Sequence, residues 1–428
     1  MCQTFLKGKD AMIDSNRYGR RDALRRFALA GGVVLWQAGC SQNVGQAITP
    51  AGAPVLRVLI LENQKSISLS ATVPPSVQLA GASQSQQLRF GSAGAVPIML
   101  TATGWRIGSG SLPRGELHVM PAVDGSVFIN RASYHGSFRL VPQGPDHFDV
   151  VNNVNIEHYL PGVLPSELFP DWHPEAYKAQ AIVARTYGLY EAHTDGVGRY
   201  FDVYADQRSQ VYNGIKAESA KSRSATLETG GIVVAFGPPG HEIIFKSYFS
   251  SCCGGIGQSA FDAFGDPDIP PLRAQNRGTC CAQSTKFNWP AVSIPKAELT
   301  RRIRAWGVWK KQSEKDLPPL ARIDVMATNS LGRPVRFLVT DAHGGRRMFR
   351  SEALREAINT DANTGPKIFS SFCKTLDDGQ SIRFIDGHGY GHGVGMCQWC
   401  AQSQAQGGWN NESIVISAFP GARLVRAY

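Results

Sequence analysis

The sequence predicts an α+β fold made predominantly of short antiparallel β-strands, with one principal amphipathic helix at about residues 174–193 and smaller helices. Three observations support this prediction. Of the 428 residues, 43% are hydrophobic and only 18% are charged, which excludes a disordered chain. The 45 glycines and 25 prolines indicate many turns between short strands. In one long stretch, apolar residues recur at steps of three and four, which indicates a helix.

The first 40 residues have the composition of an export signal. The pair Arg20-Arg21 precedes a short apolar run, residues 27–35, and the segment ends at Ala38-Gly39-Cys40. A basic region, an apolar core and small residues before a cleavage site are typical of export signals, and paired arginines favour the twin-arginine route. We therefore expect a periplasmic or otherwise extracytoplasmic protein, anchored to the membrane by a lipid on Cys40. Gln37 departs from the aliphatic residue usual there, and a soluble N-terminal helix is the alternative.

The charge balance indicates which partners to expect. The whole chain carries +10, and removal of residues 1–39, with seven basic and three acidic residues, leaves +6. A modest positive excess suits an anionic polymer such as a cell wall. Nucleic acid is not an expected partner, because no run of Arg and Lys is interleaved with aromatic residues. No run of about 18 apolar residues occurs in the sequence, so we expect no transmembrane helix.

The first folded region that the sequence predicts is rich in β-strands. Residues 41–54, rich in Ser, Gln, Gly, Ala and Pro, are predicted to be a linker. Residues 55–150 alternate apolar stretches with turn residues, which predicts a β-rich N-terminal part. Its predicted strands are residues 56–61, 117–120 and 148–151.

The principal helix lies in the next part, residues 151–290, which we expect to be the core of the fold. Apolar residues recur at helical steps from Ala176 to Tyr190. Pro174 suits the first helical position, where its missing N–H costs no hydrogen bond. Strands are predicted at residues 231–236 and 242–250.

Two further parts complete the chain. Residues 291–380 are predicted to be an accessory α+β part, and residues 381–428 a Gly- and His-rich segment that completes the core. The predicted elements are a helix at residues 296–306, strands at 323–327 and 335–340, and a helix-compatible stretch at 396–406.

Glu167 is the first candidate for chemistry. It is flanked by Leu164, Leu168 and Phe169. A carboxyl group in apolar surroundings has a raised pKa and can donate a proton near neutral pH. The N-terminus of the helix at Pro174 would instead favour the ionised form if it points at Glu167. The sequence leaves this balance open.

A glycine- and histidine-rich segment, residues 386–396, is the second candidate. It is not a phosphate loop, because no Gly-Lys-Ser/Thr follows. His388 and His392 have the spacing of a helical zinc pair, but the glycines around them disfavour a helix. In an extended segment both imidazoles would lie on one face, and the glycines would let a bulky ligand approach. We expect a solvated His392 close to Glu167; a glycine-rich turn with solvated histidines is the alternative.

Seven cysteines lie beyond Cys40, and they are the third candidate. Disulfides are the default for paired cysteines outside the cytoplasm, so we expect at least one and no stoichiometric metal or other cofactor. A zinc site that includes Cys253, Cys281 and Cys397 is the weaker alternative, because the usual two-knuckle spacing is absent. The six cysteines from which we expect the disulfide are Cys252, Cys253, Cys280, Cys281, Cys397 and Cys400.

Several motifs, in this order, resemble the SpoIID/LytB domain family, and the resemblance spans roughly residues 55–428. Cys397 and Cys400 depart from the Ser and Gly that are common around the Gln-Trp pair of the last motif. The motifs are Tyr159-Leu160-Pro161-Gly162-Val163, Pro165-Ser166-Glu167, Pro174-Glu175-Ala176, Lys178-Ala179-Gln180-Ala181, Ala184-Arg185-Thr186-Tyr187, Ser209-Gln210-Val211-Tyr212-Asn213-Gly214, Ser250-Ser251, Gly254-Gly255, residues 389–396 and Gln398-Trp399.

The resemblance implies a SpoIID-like fold and a reaction on the bacterial cell wall. The family includes a lytic transglycosylase that acts on peptidoglycan glycan strands stripped of stem peptides. Its catalytic acid is the Glu of Pro-Ser-Glu, here Glu167. Hydrolytic glycosidases need two carboxylates, for which Asp386 is the only second candidate, whereas a lytic transglycosylase can use one. Some relatives carry a cysteine/histidine zinc site, and nothing in the export signal indicates a sporulation role.

We therefore predict a peptidoglycan lytic transglycosylase that forms 1,6-anhydro ends. The alternative is a non-catalytic, wall-binding enhancer of an N-acetylmuramoyl-L-alanine amidase, as LytB-type members of the family are described. A second alternative is a thiol peptidase that uses Cys252 or Cys253 with His392. The residues for which we predict glycan contacts are Arg185, Tyr212, Tyr390, His392 and Gln398.

Overall fold

The computed structural model describes residues 52–88, 94–362 and 365–428. The predicted export signal, Cys40 and all but the end of the predicted linker lie outside the described residues. Among the helices that are described, none combines the length and the apolar character needed to cross a bilayer. The described elements are many antiparallel strands and fewer helices, and the predicted α+β class is confirmed.

Two sheets that share one hydrophobic core make up the N-terminal region. One has the order β13-β1-β12-β11-β8-β3-β4 and the other β10-β9-β2-β5-β6-β7. Within these two sheets the strands pair antiparallel, except that β1 and β13 (Val203–Tyr204) pair in parallel. The strands are β1 Val55–Gln64, β2 Ser66–Ala71, β3 Ser76–Leu79, β4 Gln86–Gln87, β5 Val96–Thr101, β6 Gly104–Ile107, β7 Gly110–Pro113, β8 Leu117–Met120, β9 Val127–Ile129, β10 Ala132–Tyr134, β11 Ser137–Pro142 and β12 Phe148–Asn155.

The central region follows β12 and contains the longest helix. Its helix α2 covers the predicted residues 174–193, although most of its circumference is buried, so that little of it faces solvent. The predicted strand at 242–250 is observed as two short strands. The elements are α1 Ile156–Glu167, α2 Pro174–His193, α3 Ala220–Glu228, β14 Ile232–Phe236, β15 Ile243–Ile244, β16 Phe249–Ser250 and α4 Ala260–Ala263.

The helix α1 is the main element that the sequence did not predict. Pro161 and Pro165 lie inside it, and proline is unfavourable in a helix interior because it lacks an N–H. The helix forms because the Asn155 side chain accepts a hydrogen bond from the Glu157 N–H at its start. Apolar side chains of α1 also pack into the core beneath β1 and β12. The buried apolar face outweighs the local cost of proline.

The accessory region has its own hydrophobic core, in which α5 packs against α6 beside two three-stranded sheets. The sheets have the orders β19-β20-β21 and β18-β23-β22. The elements are β17 Asn288–Trp289, β18 Val292–Pro295, α5 Lys296–Lys310, β19 Leu320–Thr328, β20 Pro334–Asp341, β21 Arg346–Arg350, α6 Ser351–Asn359, β22 Lys374–Asp377 and β23 Ser381–Ile385.

The C-terminal segment returns to the central region. β25 pairs in parallel with β16, β26 pairs antiparallel with β14, and both following helices pack on α2. The segment thus closes against the helix of residues 174–193, and this closure is driven by burial of small and branched apolar side chains on both partners. The elements are β24 Gly387–His388, β25 Met396–Cys397, α7 Gln398–Gln406, α8 Asn411–Ala418 and β26 Arg423–Arg426.

Candidate active site

Glu167 is the last residue of α1, and its half-buried carboxyl group receives hydrogen bonds from two distant segments. The side chain of Gln398, at the first position of α7, donates from Nε2 to Oε2 over 3.3 Å, although 231 residues separate them. The backbone N–H of Val211 also donates to this carboxyl group. The fold thus brings the end of α1, the start of α7 and the loop before α3 to one point.

The environment of Glu167 favours its protonated form. Burial raises the pKa of the Glu167 carboxyl group, and the hydrogen bonds from Gln398 and Val211 only partly oppose this effect. The carboxylate would also lie at the C-terminal, negative end of α1, which disfavours ionisation. The N-terminus of α2 is capped by His173, whose side chain accepts a hydrogen bond from the Glu175 N–H. The balance that the sequence left open falls on the side of a raised pKa.

Three aromatic side chains that are close to Glu167 or its donor Gln398 in the chain form a group that we call the aromatic wall: Phe169, Trp172 and Trp399. The Phe169 ring lies 5.5 Å from that of Trp172 and 5.9 Å from that of Trp399, measured between ring centroids. Phe169 is 55% exposed, whereas Trp172 is buried. An exposed aromatic ring, two residues after Glu167 in the chain, is a surface on which a sugar ring can stack. Only the apolar flank of Glu167 signalled this group in the sequence.

The loop that holds Val211 supports the carboxyl group and is itself tightly packed. Asn213 donates from Nδ2 to the Ser166 hydroxyl over 2.8 Å. Gly162 of α1 faces Tyr212 so closely that a Cβ there would lie 2.8 Å from the tyrosine ring, and only glycine fits. Tyr212 is 3% exposed and donates its hydroxyl to Asn152. The predicted glycan contact of Tyr212 is therefore wrong, because its ring is used to pack the loop against α1.

The predicted glycan contact of Arg185 is also wrong. Its guanidinium is fully buried and binds the Glu157 carboxylate with two hydrogen bonds, of 2.9 and 2.8 Å. Glu157 also accepts hydrogen bonds from the Gly231 N–H at 3.0 Å and from the Tyr428 hydroxyl at 2.6 Å. Arg185 and Glu157 thus tie α1 to α2, to the turn before β14 and to the C-terminus. The sequence analysis did not single out Glu157.

The two histidines do not share a face, contrary to the prediction. The His392 ring packs edge-on against Tyr248 and Phe264, at 5.7 and 5.3 Å between centroids, and burial lowers its pKa to about 4. The His388 ring instead lies 5.0 Å from Phe372. His392 is therefore a packed, neutral imidazole near pH 7 and not the solvated one that the sequence predicts.

The remaining predicted residues differ in their accessibility. Tyr390 is 47% exposed and can still contact a ligand. Asp386, the candidate second carboxylate, is exposed and forms an ion pair with Lys374 at 2.9 Å. Gln398 is 4% exposed, and its side-chain amide lies between Glu167 and Gln180. Gln398 thus positions the carboxyl group from within the protein.

The structure also corrects the predicted disulfide. All seven cysteines of the described residues carry free thiols. The sulfur atoms of Cys253, Cys281, Cys397 and Cys400 lie within 4.8 Å of one another, so Cys400 joins the three residues of the weaker zinc prediction. The thiols required by the thiol-peptidase alternative, Cys252 and Cys253, are buried. A buried thiol is inaccessible to a peptide bond, which removes support from that alternative.

Comparisons with known proteins agree with the motifs. A sequence model described as SpoIID, Stage II sporulation protein, matches residues 145–236. The chain is 31% identical over 301 residues to an uncharacterized protein of Brachyspira hyodysenteriae, covering 69% of this chain and 73% of that relative. It is 25% identical over 291 residues to Stage II sporulation protein D of Bacillus subtilis, covering 65% and 76%.

A further relative is the Amidase enhancer of Bacillus subtilis, 24% identical over 294 residues. That alignment covers 62% of this chain but only 40% of the enhancer. The residues matched by the SpoIID model include α1 with Glu167, all of α2 and the loop that holds Val211. The predicted resemblance is confirmed, and the chain belongs to the SpoIID/LytB family.

Proposed function

We propose that this protein is a lytic transglycosylase that cleaves peptidoglycan glycan strands and leaves 1,6-anhydro ends, with Glu167 as its single acid and base. The observation that carries the proposal is the environment of Glu167. Burial raises the pKa of this carboxyl group, two neutral donors orient it, and the exposed ring of Phe169 follows it by two residues in the chain. These are the properties that a general acid for a sugar polymer needs.

The proposed reaction has two proton transfers through one carboxyl group. Protonated Glu167 donates its proton to the glycosidic oxygen while the bond from C1 to that oxygen breaks. The resulting carboxylate accepts the proton of the 6-hydroxyl group, whose oxygen forms a new bond to C1 of the same sugar. This intramolecular attack benefits from proximity, and it needs neither a water molecule nor a second carboxylate. Asp386, paired with Lys374, has no part in it.

Gln398 and Val211 have a positioning role in this scheme. Both donate hydrogen bonds to the Glu167 carboxyl group, so they fix its direction before the first transfer and stabilise the carboxylate that forms. The aromatic wall, through the exposed face of Phe169, would stack on a pyranose ring. The sequence predicts glycan contacts for three residues of the C-terminal segment: Tyr390, His392 and Gln398. Tyr390 remains a proposed contact because its side chain is exposed.

The proposed substrate lies outside the cytoplasm. The predicted export signal and lipid attachment at Cys40 would anchor the protein to the membrane, within reach of the cell wall. The positive excess of the chain suits an anionic wall polymer. Nucleic acid is not a proposed partner.

The test is the Glu167→Gln variant on purified glycan strands without stem peptides. We expect loss of strand cleavage by about 10²- to 10⁴-fold, the usual contribution of a general acid. Glu412→Gln is a matched control, because Glu412 is an exposed glutamate in the first turn of α8. Retention of most activity in well-folded Glu167→Gln protein would reject the catalytic role of Glu167.

The similarity to the Amidase enhancer favours a second candidate, a non-catalytic enhancer of a cell-wall amidase. An enhancer would stimulate release of dyed peptidoglycan by an N-acetylmuramoyl-L-alanine amidase, and Glu167→Gln would leave this stimulation unchanged. A protein that cleaves no strands but stimulates the amidase would replace the first proposal with the second.

A further inference from the structure

Four cysteine sulfurs converge at one point next to the candidate active site. They come from three separate segments: Cys253 after β16, Cys281 before β17, and Cys397 with Cys400 at the start of α7. All four side chains are buried, and their sulfur atoms lie within 4.8 Å of one another. The Cys253 and Cys281 sulfur atoms lie 3.6 Å apart.

These separations fit a single tetrahedral metal ion. With zinc–sulfur bonds of about 2.3 Å, the corners of a tetrahedron lie about 3.8 Å apart. In a four-iron cluster each cysteine binds a different iron from outside the cube, so the four cysteine sulfurs would lie further apart. Four thiolates in tetrahedral positions, with no place left for water or substrate, are typical of a structural zinc site.

The surroundings of the cluster suit thiolates as well as thiols. The backbone N–H of Cys253 points at the Cys397 sulfur over 3.3 Å, a donor that a thiolate accepts better than a thiol. The Arg333 guanidinium is fully buried and donates to the carbonyl oxygen of Cys253 at 3.0 Å. A zinc ion with four thiolates carries a net charge of −2, and the buried cation of Arg333 offsets part of it.

We propose that Cys253, Cys281, Cys397 and Cys400 bind one zinc ion as four thiolates, and that this ion holds the start of α7 against the candidate active site. Binding releases the four thiol protons and forms four zinc–sulfur bonds, with no change of oxidation state.

The link to the active site is the short stretch between two of the ligands. Gln398 and Trp399 lie between Cys397 and Cys400 in the chain, and Gln398 donates to Glu167. Trp399 packs against the cysteine cluster on one side and against the Leu164 and Trp172 cluster on the other. An ion that fixes both ends of this stretch therefore fixes both residues that α7 contributes to the site.

Cys252 and Cys280, each next in the chain to a proposed ligand, offer matched controls. The Cys252 sulfur points at the carbonyl oxygen of Cys281, and the Cys280 sulfur at that of Cys400, at 4.0 and 3.8 Å. Both belong to the same Cys-Cys pairs as two proposed ligands but stand outside the four-sulfur group. Cys373, buried in the accessory core, is a control for the loss of any buried thiol.

The first test is metal analysis of the full chain, purified under reducing conditions. We expect one zinc per chain, and a loss of more than about tenfold in bound zinc for Cys281→Ser and Cys400→Ser. Cys252→Ser, Cys280→Ser and Cys373→Ser should keep their zinc. Protein without metal, disulfides within the four-cysteine group, or equal zinc loss in the control variants would overturn the proposal.

A spectrum of the cobalt-substituted wild-type protein tests the ligand set without any variant. Four thiolates around cobalt should give strong sulfur-to-metal bands in the near ultraviolet together with the visible bands of a tetrahedral ion. The spectrum of an octahedral ion, or no binding, would overturn the proposal even if a cysteine variant fails to fold.

Hydrogen exchange tests the link to α7 without any glycan cleavage, so its outcome is independent of the proposed function. Removal of zinc by a chelator should increase exchange in residues 396–406, while β5 in the N-terminal region stays protected. Unchanged protection of residues 396–406 in zinc-free protein would contradict the positioning role of the ion.

Discussion

The two ends of α1 hold two carboxyl groups with opposite roles. Glu157, in the first turn, is 8% exposed and is neutralised by Arg185 in a buried ion pair. Glu167, the last residue, receives its described hydrogen bonds from an amide side chain and a backbone N–H. No Lys, Arg or His of the described residues lies within ion-pair distance of Glu167.

The comparison teaches that burial alone does not indicate a reactive carboxyl group. The helix dipole favours a negative charge at Glu157 and disfavours one at Glu167. The Glu157 carboxylate is bound by the Arg185 cation and by two further donors, the Gly231 N–H and the Tyr428 hydroxyl. Glu167 has only neutral donors, so a proton can leave and return. The first group holds the protein together, and the second is available for proton transfer.

The largest expected effect on stability comes from the Glu157 end. Arg185→Met leaves the Glu157 carboxylate buried without its cation, which should lower the free energy of unfolding by about 3–5 kcal/mol. Thermal and urea unfolding measure this change. Activity per folded molecule should persist, because Arg185 is buried away from any substrate. A loss below about 1 kcal/mol would mean that the ion pair does not hold the two helices together.

Glu167→Gln is the control at the other end of the same helix. A carboxyl group with a raised pKa in the folded state stabilises the protein only while it is protonated, so its contribution is lost as the pH rises through that pKa. The neutral amide avoids this loss. The variant should unfold at the same or a higher temperature than the wild type at pH 8, with a smaller difference at pH 4. A clear loss of stability at pH 8 would contradict the described environment.

An intermediate effect is expected at Gln398. Its hydrogen bond stabilises the carboxylate and lowers the pKa of Glu167, so Gln398→Met should raise that pKa further. The alkaline limb of kcat/KM should then move to higher pH, because the acid keeps its proton longer. Turnover should also fall about fivefold, since one hydrogen bond of about 1 kcal/mol no longer orients the carboxyl group.

Gln402→Met is the matched control for Gln398→Met. Gln402 lies one turn later on α7 and accepts a hydrogen bond from the His173 N–H, not from the active site. The alkaline limb of kcat/KM for the Gln402→Met variant should coincide with that of the wild type. A shift of equal size in both variants would assign the effect to disturbance of α7 in general.

The smallest expected effect concerns the aromatic wall. Phe169→Ala removes an exposed ring that would stack on the glycan, and it should raise KM about threefold to tenfold with little change in kcat. Phe261→Ala, a change at a similarly exposed phenylalanine of α4, should leave KM unaltered. Equal KM values in Phe169→Ala and the wild type would exclude the ring from binding.

Much of the fold could be predicted from the sequence because the signals are local. Helical apolar spacing and Pro174 predicted α2 with its observed bounds, and strand β8 matches its prediction. Helix α1 was not predicted, because Pro161 and Pro165 oppose a helix locally while the packing that overcomes them is tertiary. Local signals also could not show that α2 is enclosed by other elements, which buries Arg185.

The site could be predicted only in part for the same reason. Glu167 stood out by its motif and its apolar flank, but its donors Gln398 and Val211 come from other segments. The cysteine cluster draws on three segments, so no zinc-like spacing occurs in the sequence. His392 was expected in solvent because its neighbours are glycines, yet Tyr248 and Phe264 reach it from elsewhere in the chain.

The most direct test of the central proposal is the mass of the products formed from peptide-free glycan strands in water labelled with heavy oxygen. If Glu167 acts as the single acid and base of a lytic transglycosylase, the new ends should be one water lighter than reducing sugars and free of label, and Glu167→Gln should form none. New reducing ends that carry the label would show hydrolysis, and would contradict the proposed mechanism.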